Sequence, residues 1–308
     1  MPTVRPPTTL RFGSTAALLA ALPSREERGR EQIMLQMGSL RWIEALPLAI
    51  LASYVNDHAR QNRRQYRSAG RVTLPDRYEF LQRMDFFKAI GLEMSERFAR
   101  HEPTGRFVPV REVGVSREVQ VAAADIVDTL RVDDQEAANV LRHCIGEVID
   151  NVFVHANSPT NATICAQHFP NARRTQVGIV DTGIGFRASF ASSPVYSEMA
   201  LSDREAMMLG LAPYVTSKPL ATDMYDSGYG RLGVGLFIVS AVLDQVGGRI
   251  QIASQTALFQ QKRWSTVRPW QGAIIGFEVP DEPLVSYEEA LRVARQRAIE
   301  IARSRDLE

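Results

Sequence analysis

Two short glycine boxes downstream of a helix-patterned run constrain this 308-residue chain more than any other feature. The run extends from Asp134 to Ala156, with Val140, Leu141, Ile145, Val148, Ile149 and Val152 recurring at helical spacing. Residues four apart on a helix share a face, so Glu147 and Asn151 point the same way, and His155 follows one turn later. A carboxylate and a carboxamide on an otherwise apolar stripe are costly to bury without partners. Asn151 offers an amide oxygen of the kind magnesium accepts, and magnesium usually takes few protein ligands and the rest from phosphates and water. Glu147 is suited to accept a proton from an attacking water or hydroxyl. Taken alone, the same spacing also describes two polar residues on a helix surface.

The first box follows a strand. Thr175 to Val180 has Val177, Ile179 and Val180 apolar and runs straight into Asp181-Thr182-Gly183-Ile184-Gly185. An acid at a strand end can accept a hydrogen bond from an amino group such as that of adenine, and glycines behind it let the backbone approach a flat ring. An ordinary tight turn uses the same residue types. The second box, Gly228-Tyr229-Gly230-Arg231-Leu232-Gly233-Val234-Gly235-Leu236, opens an apolar helical stretch that runs to Val246. Backbone N–H groups at such a helix start are free to hold phosphate oxygens. Gly228, Gly230 and Gly233 formally match G-x-G-x-x-G, but no strand precedes them and no suitable acid lies about 20 residues on. A protein-kinase glycine loop is excluded by the lack of H-R-D and D-F-G, and there is no Walker A sequence.

Together, Glu147-Val-Ile-Asp-Asn151, Asp181-Thr-Gly-Ile-Gly185 and Gly233-Val-Gly-Leu236 resemble the N, G1 and G2 boxes of the GHKL ATPase superfamily. That group includes DNA gyrase, the ninety-kilodalton heat-shock chaperones, histidine kinases and mismatch-repair MutL proteins. The resemblance spans roughly Val115 to Pro280. It is specific for ATP binding and much less so for what the ATP does. It implies an α/β (α+β) sandwich of the Bergerat type that binds Mg-ATP. Asn151 would ligate magnesium and Asp181 would read the adenine amino group. Gly183 and Gly185 would floor the base pocket, while Gly233 and Gly235, with Leu236 closing the box, would line the triphosphate. Glu147 would match the general base of the hydrolysing branches, where histidine kinases usually have a different residue. His155 reads as a structural polar residue rather than a catalytic one. One departure stands out: the family often has a threonine just before its last strand, whereas Gly272-Ala273 here leads into Ile274 to Val279.

Between the boxes, Phe186 to Leu232 is long and lacks a strand pattern, which marks a candidate lid. Ser202 with Glu205 forms a capping box for a short helix through Leu209. Thr216-Ser217-Lys218 resembles the phosphate-side lid segment of the superfamily, and Lys218 and Arg231 are the cationic candidates for the γ-phosphate. Either is equally compatible with a solvated surface charge.

Composition narrows the setting. A hydrophobic content of 45% supports real cores, and a net charge of +1 gives no nucleic-acid field. The cluster Arg60 to Arg67 reads as a solvated helix end. The apolar run Ala16 to Leu22 is too short to span a bilayer and lacks the flanks of a signal peptide, so no membrane association and a cytoplasmic location are expected. Cys144 and Cys165 make no disulfide framework. Cys165 and His168 have a ligand-like spacing, but they fall on an alternating strand, Thr163 to Phe169, with no second pair.

Length suggests about two domains. Ile33 to Met37 reads as a strand, a long helix runs from near Pro47 to about Arg67, Val72 to Leu74 is a short strand, and Tyr78 to Ile90 is an amphipathic helix. Met34-Leu-Gln-Met-Gly-Ser-Leu-Arg-Trp-Ile43, then a helix, then Leu81-Gln-Arg-Met-Asp-Phe-Phe87 resembles a STAS domain, the anti-sigma-antagonist fold. That family's phosphorylated serine would fall near the start of the long helix, where this chain has Glu44-Ala45, so a fixed protein-binding module is expected rather than a phospho-switch. The expected division is a smaller STAS-like α/β domain over 1–112, the GHKL domain over 113–282 and a C-terminal helix over 283–308, with Phe107 to Glu118 as the link. The helix carries Leu291, Ala294, Ala298 and Ile301 on one side, for packing on the ATPase domain or, in a homodimer, on a second subunit. The function expected is a signalling ATPase with a mobile lid as its switch and a protein partner on the STAS-like domain. Two other readings stand beside it: an anti-sigma-type serine/threonine kinase, and a non-catalytic scaffold gated by ATP.

Overall fold

The computed structural model describes residues 2–29, 31–62, 70–76, 78–100, 102–114, 116–154, 161–217 and 233–305. The chain begins with strands β1 (Thr3–Val4) and β2 (Thr9–Leu10) and helices α1 (Thr15–Ala21) and α2 (Arg25–Arg28). Strands β3 (Ile33–Gln36) and β4 (Trp42–Ile43) lead into the long helix α3 (Ala45–Gln61), followed by β5 (Gly70–Thr73) and the short helices α4 (Glu79–Arg83) and α5 (Phe86–Ala89). Then come β6 (Phe107–Val113), α6 (Ser116–Leu130), α7 (Gln135–Val154), β7 (Ala162–Phe169) and β8 (Arg174–Val180). The remaining elements are α8 (Gly185–Ala191), α9 (Asp203–Gly210), α10 (Gly235–Val246), β9 (Arg249–Gln260), β10 (Arg263–Pro280) and α11 (Tyr287–Arg305).

Strands β6, β7, β8, β10 and β9 form one sheet in that order, with every neighbouring pair antiparallel. Strands β1, β3 and β5 make a parallel sheet, and β2 pairs with β4 in parallel. Alternation along the central strands sorts their side chains onto two faces. Ile164, Ala166, Val177, Ile179, Ile275 and Phe277 join the core built by α6, α7 and α10. Cys165, Val180 and Ile274 join a second core with α3 and the rest of the N-terminal part. Antiparallel sheets commonly leave one face to water. This one has both faces covered, which is why β7 and β8 are buried almost throughout.

Two devices fix α3 to the sheet. Gly178 and Gly276 pair in register on β8 and β10, and Leu46 fills the groove they leave. A Cβ at Gly178 would lie 3.0 Å from Leu46 Cα, and one at Gly276 would lie 2.4 Å from Leu46 Cδ2. Two residues before Leu46, Glu44 is fully buried. It accepts hydrogen bonds from Phe12 N (2.6 Å), Trp42 Nε1 (3.2 Å), Arg174 Nη2 (2.8 Å) and Gln176 Nε2 (2.6 Å). The position where the STAS resemblance would put a phosphorylated serine therefore carries a carboxylate enclosed by donors from both parts of the chain. Arg174 and Gln176 also reach Glu278, which pairs with Arg249.

Three segments differ from expectation. Phe107 to Val113 is not a link but the edge strand β6, paired with β7. Its register shifts between Val108 and Arg111, where Pro109 sits, and an edge strand tolerates a missing N–H donor there. The helix expected over Tyr78 to Ile90 is broken at Asp85, whose φ of 53° is left-handed and whose carboxylate accepts from Arg100 Nη2 at 2.6 Å. The last strand, expected from Ile274, begins at Arg263 and forms a long hairpin with β9. Helix α11 buries Ala290, Leu291, Ala294 and Ala298 in the core shared by α7 and α10. Among the described residues no helix is long and apolar enough to cross a membrane.

Candidate functional site

Asp134 starts α7 by accepting a hydrogen bond from Ala137 N at 2.6 Å, the usual capping geometry. The helix then carries Glu147 and Asn151 one turn apart. Asn151 is exposed. The Glu147 side chain is 11% exposed, and its Oε1 is buried and accepts no hydrogen bond among the described residues. His143 Nε2, one turn earlier, lies 3.5 Å from that oxygen.

Helix α10 meets α7 at this carboxylate. It starts at Gly235, and Val234 at its N-cap supplies no side-chain hydrogen bond. A Cβ at Gly235 would stand 2.6 Å from Glu147 Oε2 and 2.9 Å from Cys144 O. Only glycine lets the two helices close here. The N-terminal end of α10 thus lies beside Glu147, and such an end favours anions. Leu236 is buried in the core below.

The first box lies at the end of β8. Asp181 is 4% exposed, and its Oδ1 accepts from Gly183 N (2.7 Å) while Oδ2 accepts from Ala273 N (3.2 Å). Burial pushes the Asp181 carboxyl up to about 7, against the pull of those two donors. Its backbone is held as well: Asp181 N donates to Ala273 O (2.9 Å), and Trp270 Nε1 donates to Asp181 O (2.9 Å). Gly272 takes a φ of +108°, and a Cβ there would sit 2.3 Å from Asp181 O. No side chain fits at 272. The buried hydroxyl nearby belongs to Ser254, which donates to Gly272 O (2.7 Å) and accepts from Phe186 N (3.3 Å). A Cβ on Gly185 would lie 2.6 Å from that same oxygen.

The candidate lid is described from Phe186 to Ser217. It is not bare loop: Phe190, Ala200, Ala206 and Val215 form a small core of their own with Phe186, Tyr196, Leu209 and Ala212. Helix α9 has the expected capping box, with Glu205 N donating to Ser202 Oγ (3.2 Å) and Ser202 N to Glu205 Oε2 (2.8 Å). Gly233 rejoins this segment, accepting from Tyr214 N at 3.2 Å and lying against Val215 and Thr216. Ser217 Oγ and Ser189 Oγ share a hydrogen bond of 2.6 Å.

Glu147 and Gly235 are therefore in contact. Asp181, Gly183 and Gly185 gather at the end of β8, whose Val177 and Ile179 share a core with Ile145, Val148 and Ile149 of α7. His155, Lys218, Arg231 and the stretch Gly228 to Leu232 lie outside the described residues. Sequence reasoning did not single out Trp270, Ser254 or His143 as parts of the site. His143 had a usable signal, being four residues before Glu147; Trp270 and Ser254 come from a hairpin whose bulges no local pattern announces. Among the described residues no cluster of three or more His, Cys, Asp or Glu could hold a metal ion. A magnesium ion carried by one carboxamide, phosphates and water needs no such cluster.

Residues 136–283 match the model of the family described as "Histidine kinase-, DNA gyrase B-, and HSP90-like ATPase". The match supports a GHKL superfamily domain in this chain and, with it, ATP binding. No curated protein and no solved structure matches the chain.

Proposed function

We propose that this chain is a cytoplasmic Mg-ATP-dependent signalling protein that hydrolyses ATP with Glu147 as general base. The observation that carries the reading is the buried Glu147 Oε1, which has no hydrogen bond among the described residues, held beside the start of α10. A buried carboxylate oxygen normally has a donor, and one left without it is poised to accept a proton. Asp181 would accept from the adenine amino group, Gly183 and Gly185 would floor the base, and Gly233, Gly235 and Leu236 would shape the phosphate end, with Lys218 and Arg231 as cations for the γ-phosphate. Asn151, exposed one turn beyond Glu147, fits as an oxygen ligand for magnesium, which would neutralise phosphate charge when bound. In the reaction, the water oxygen bonds to the γ-phosphorus and its proton passes to Glu147. The bond to the ADP oxygen breaks and inorganic phosphate leaves. Residues 186–232 would act as the lid: the described part packs around a small core of its own, while Met207 reaches the main core and Asp203 of α9 accepts from Thr256 of β9.

A second reading is an anti-sigma-type serine/threonine kinase acting on a partner. It is favoured by Val195, Met199, Leu201, Met208 and Tyr214, large apolar residues between 41% and 68% exposed on the segment beside the site. The STAS-like segment would then be a second surface for that partner. Labelled ATP separates the readings in the purified full-length chain. Free phosphate that Glu147→Ala abolishes without loss of ATP binding supports hydrolysis. Label on a co-purified protein supports transfer, and bound but unchanged ATP leaves a scaffold.

A further inference from the structure

The N-terminal layer touches the first glycine box directly, through Arg25. This arginine opens α2, which Ser24 and Glu27 cap reciprocally, with Ser24 N donating to Glu27 Oε2 at 2.7 Å and Glu27 N to Ser24 Oγ at 3.3 Å. Its guanidinium forks onto Asp57 of α3, with Nε to Oδ2 at 3.1 Å and Nη2 to Oδ1 at 2.6 Å. The same Nη2 donates to the backbone carbonyl of Thr182 at 3.0 Å. Asp57 is a fixed anchor: its side chain is 4% exposed and also accepts from Arg28 Nη2 (2.8 Å) and Gln61 Nε2 (3.0 Å). Arg28 in turn stacks over Tyr54, 4.6 Å from the ring centre. Glu27, on the other side of α2, pairs with Arg268, two residues before Trp270.

Two successive carbonyls of the box are thus held by groups outside it, that of Asp181 by the Trp270 indole and that of Thr182 by Arg25. The donors differ in kind. Trp270 belongs to the sheet that carries the box, whereas Arg25 and its anchor Asp57 belong to the N-terminal layer. A planar guanidinium can satisfy a carboxylate and a carbonyl at once, which a lysine ammonium does with less geometric control.

We propose that Arg25 is a positioning residue for the nucleotide site. It ties the loop Asp181–Gly185 to α3 through Asp57, so that nucleotide occupancy and the docking of α2 on α3 reinforce each other. The proposal rests on reading that loop as the base pocket. Coupling of this sort is reciprocal: whatever tightens the loop must also tighten α2.

The test uses the full chain, with ATP and magnesium as the probe. In the unaltered protein, ATP slows amide hydrogen exchange over residues 24–28 by about tenfold. Arg25→Ala weakens ATP binding by about tenfold in calorimetry, and ATP no longer alters exchange in α2. A purely structural Arg25 would change melting temperature but leave the ATP-dependent part of the exchange intact. Should Arg25→Ala unfold, Arg25→Lys serves instead. It keeps a charge beside Asp57, and its expected loss is about threefold in affinity with reduced ATP protection of α2. Unaltered affinity and protection in a folded Arg25 variant overturn the proposal while ATP binding stands. Exchange in α2 that ignores ATP in the unaltered protein does the same. An unaltered chain that binds no adenine nucleotide removes both this inference and the function it rests on.

Discussion

The two faces of the five-stranded sheet handle buried carboxylates in opposite ways. On the N-terminal face, Glu44 is fully buried and accepts from four donors. On the helical face, Glu147 is also largely buried, yet among the described residues its Oε1 accepts no hydrogen bond, with His143 Nε2 3.5 Å away. Both groups are costly to take out of water. The first recovers that cost in hydrogen bonds and so joins two parts of the chain. The second has one oxygen without such a bond among the described residues, and an unbalanced group of that kind is where chemistry is expected. Stability and activity should therefore separate by face.

The largest expected effect breaks activity alone. Glu147→Gln should lower phosphate release by roughly 10²–10⁴-fold while the melting temperature holds or rises, read by a phosphate assay and thermal unfolding of the same samples. A fall in both together would erase the contrast. Next comes Glu44→Ala, which removes the buried carboxylate on which Phe12 N, Gln176 and Arg174 converge and should cost about 3–5 kcal/mol in denaturant unfolding. Leu46→Ala empties the groove over Gly178 and Gly276 and should cost about 2–5 kcal/mol. If either change instead altered turnover in a protein of normal stability, the N-terminal face would be part of the catalytic apparatus. The smallest effect concerns pH. With the Asp181 carboxyl raised from 3.8 to about 7, the folded chain holds a proton that the unfolded chain releases, so this group's contribution to stability declines as pH climbs through that window. Adenine is expected to need the ionised form as acceptor. ATP affinity should then rise about tenfold between about pH 6 and pH 8, with proton release in calorimetry across buffers, and Asp181→Asn should flatten that slope.

Much of the helical face was legible because its signals are local. Helical spacing marked α7, and the structure runs it from Gln135 to Val154. Alternation ending in an acid marked β8, and the glycine box marked the start of α10. On the N-terminal face β3, α3 and β5 were legible as elements, but their packing was not, since its contacts join residues far apart in the chain. Glu44 meets Arg174 across 130 positions, and Arg25 meets Thr182 across 157. Gly178 and Gly276 read simply as small residues within strands; only the arrival of Leu46 gives them a purpose. Proline at 109 disguised β6 as a connection, because edge pairing with a register slip has no distinctive periodicity. The tryptophan behind Asp181 was hidden by the bulges on either side of it.

That tryptophan has a practical consequence. Trp270 is 5% exposed and bonded to the main chain of the acid proposed to read adenine, whereas Trp42 is 46% exposed at the far layer. With Trp42 and Trp264 changed to Phe, a single indole would remain among the three in the chain. Its fluorescence would then report filling of the base pocket in real time, without a label.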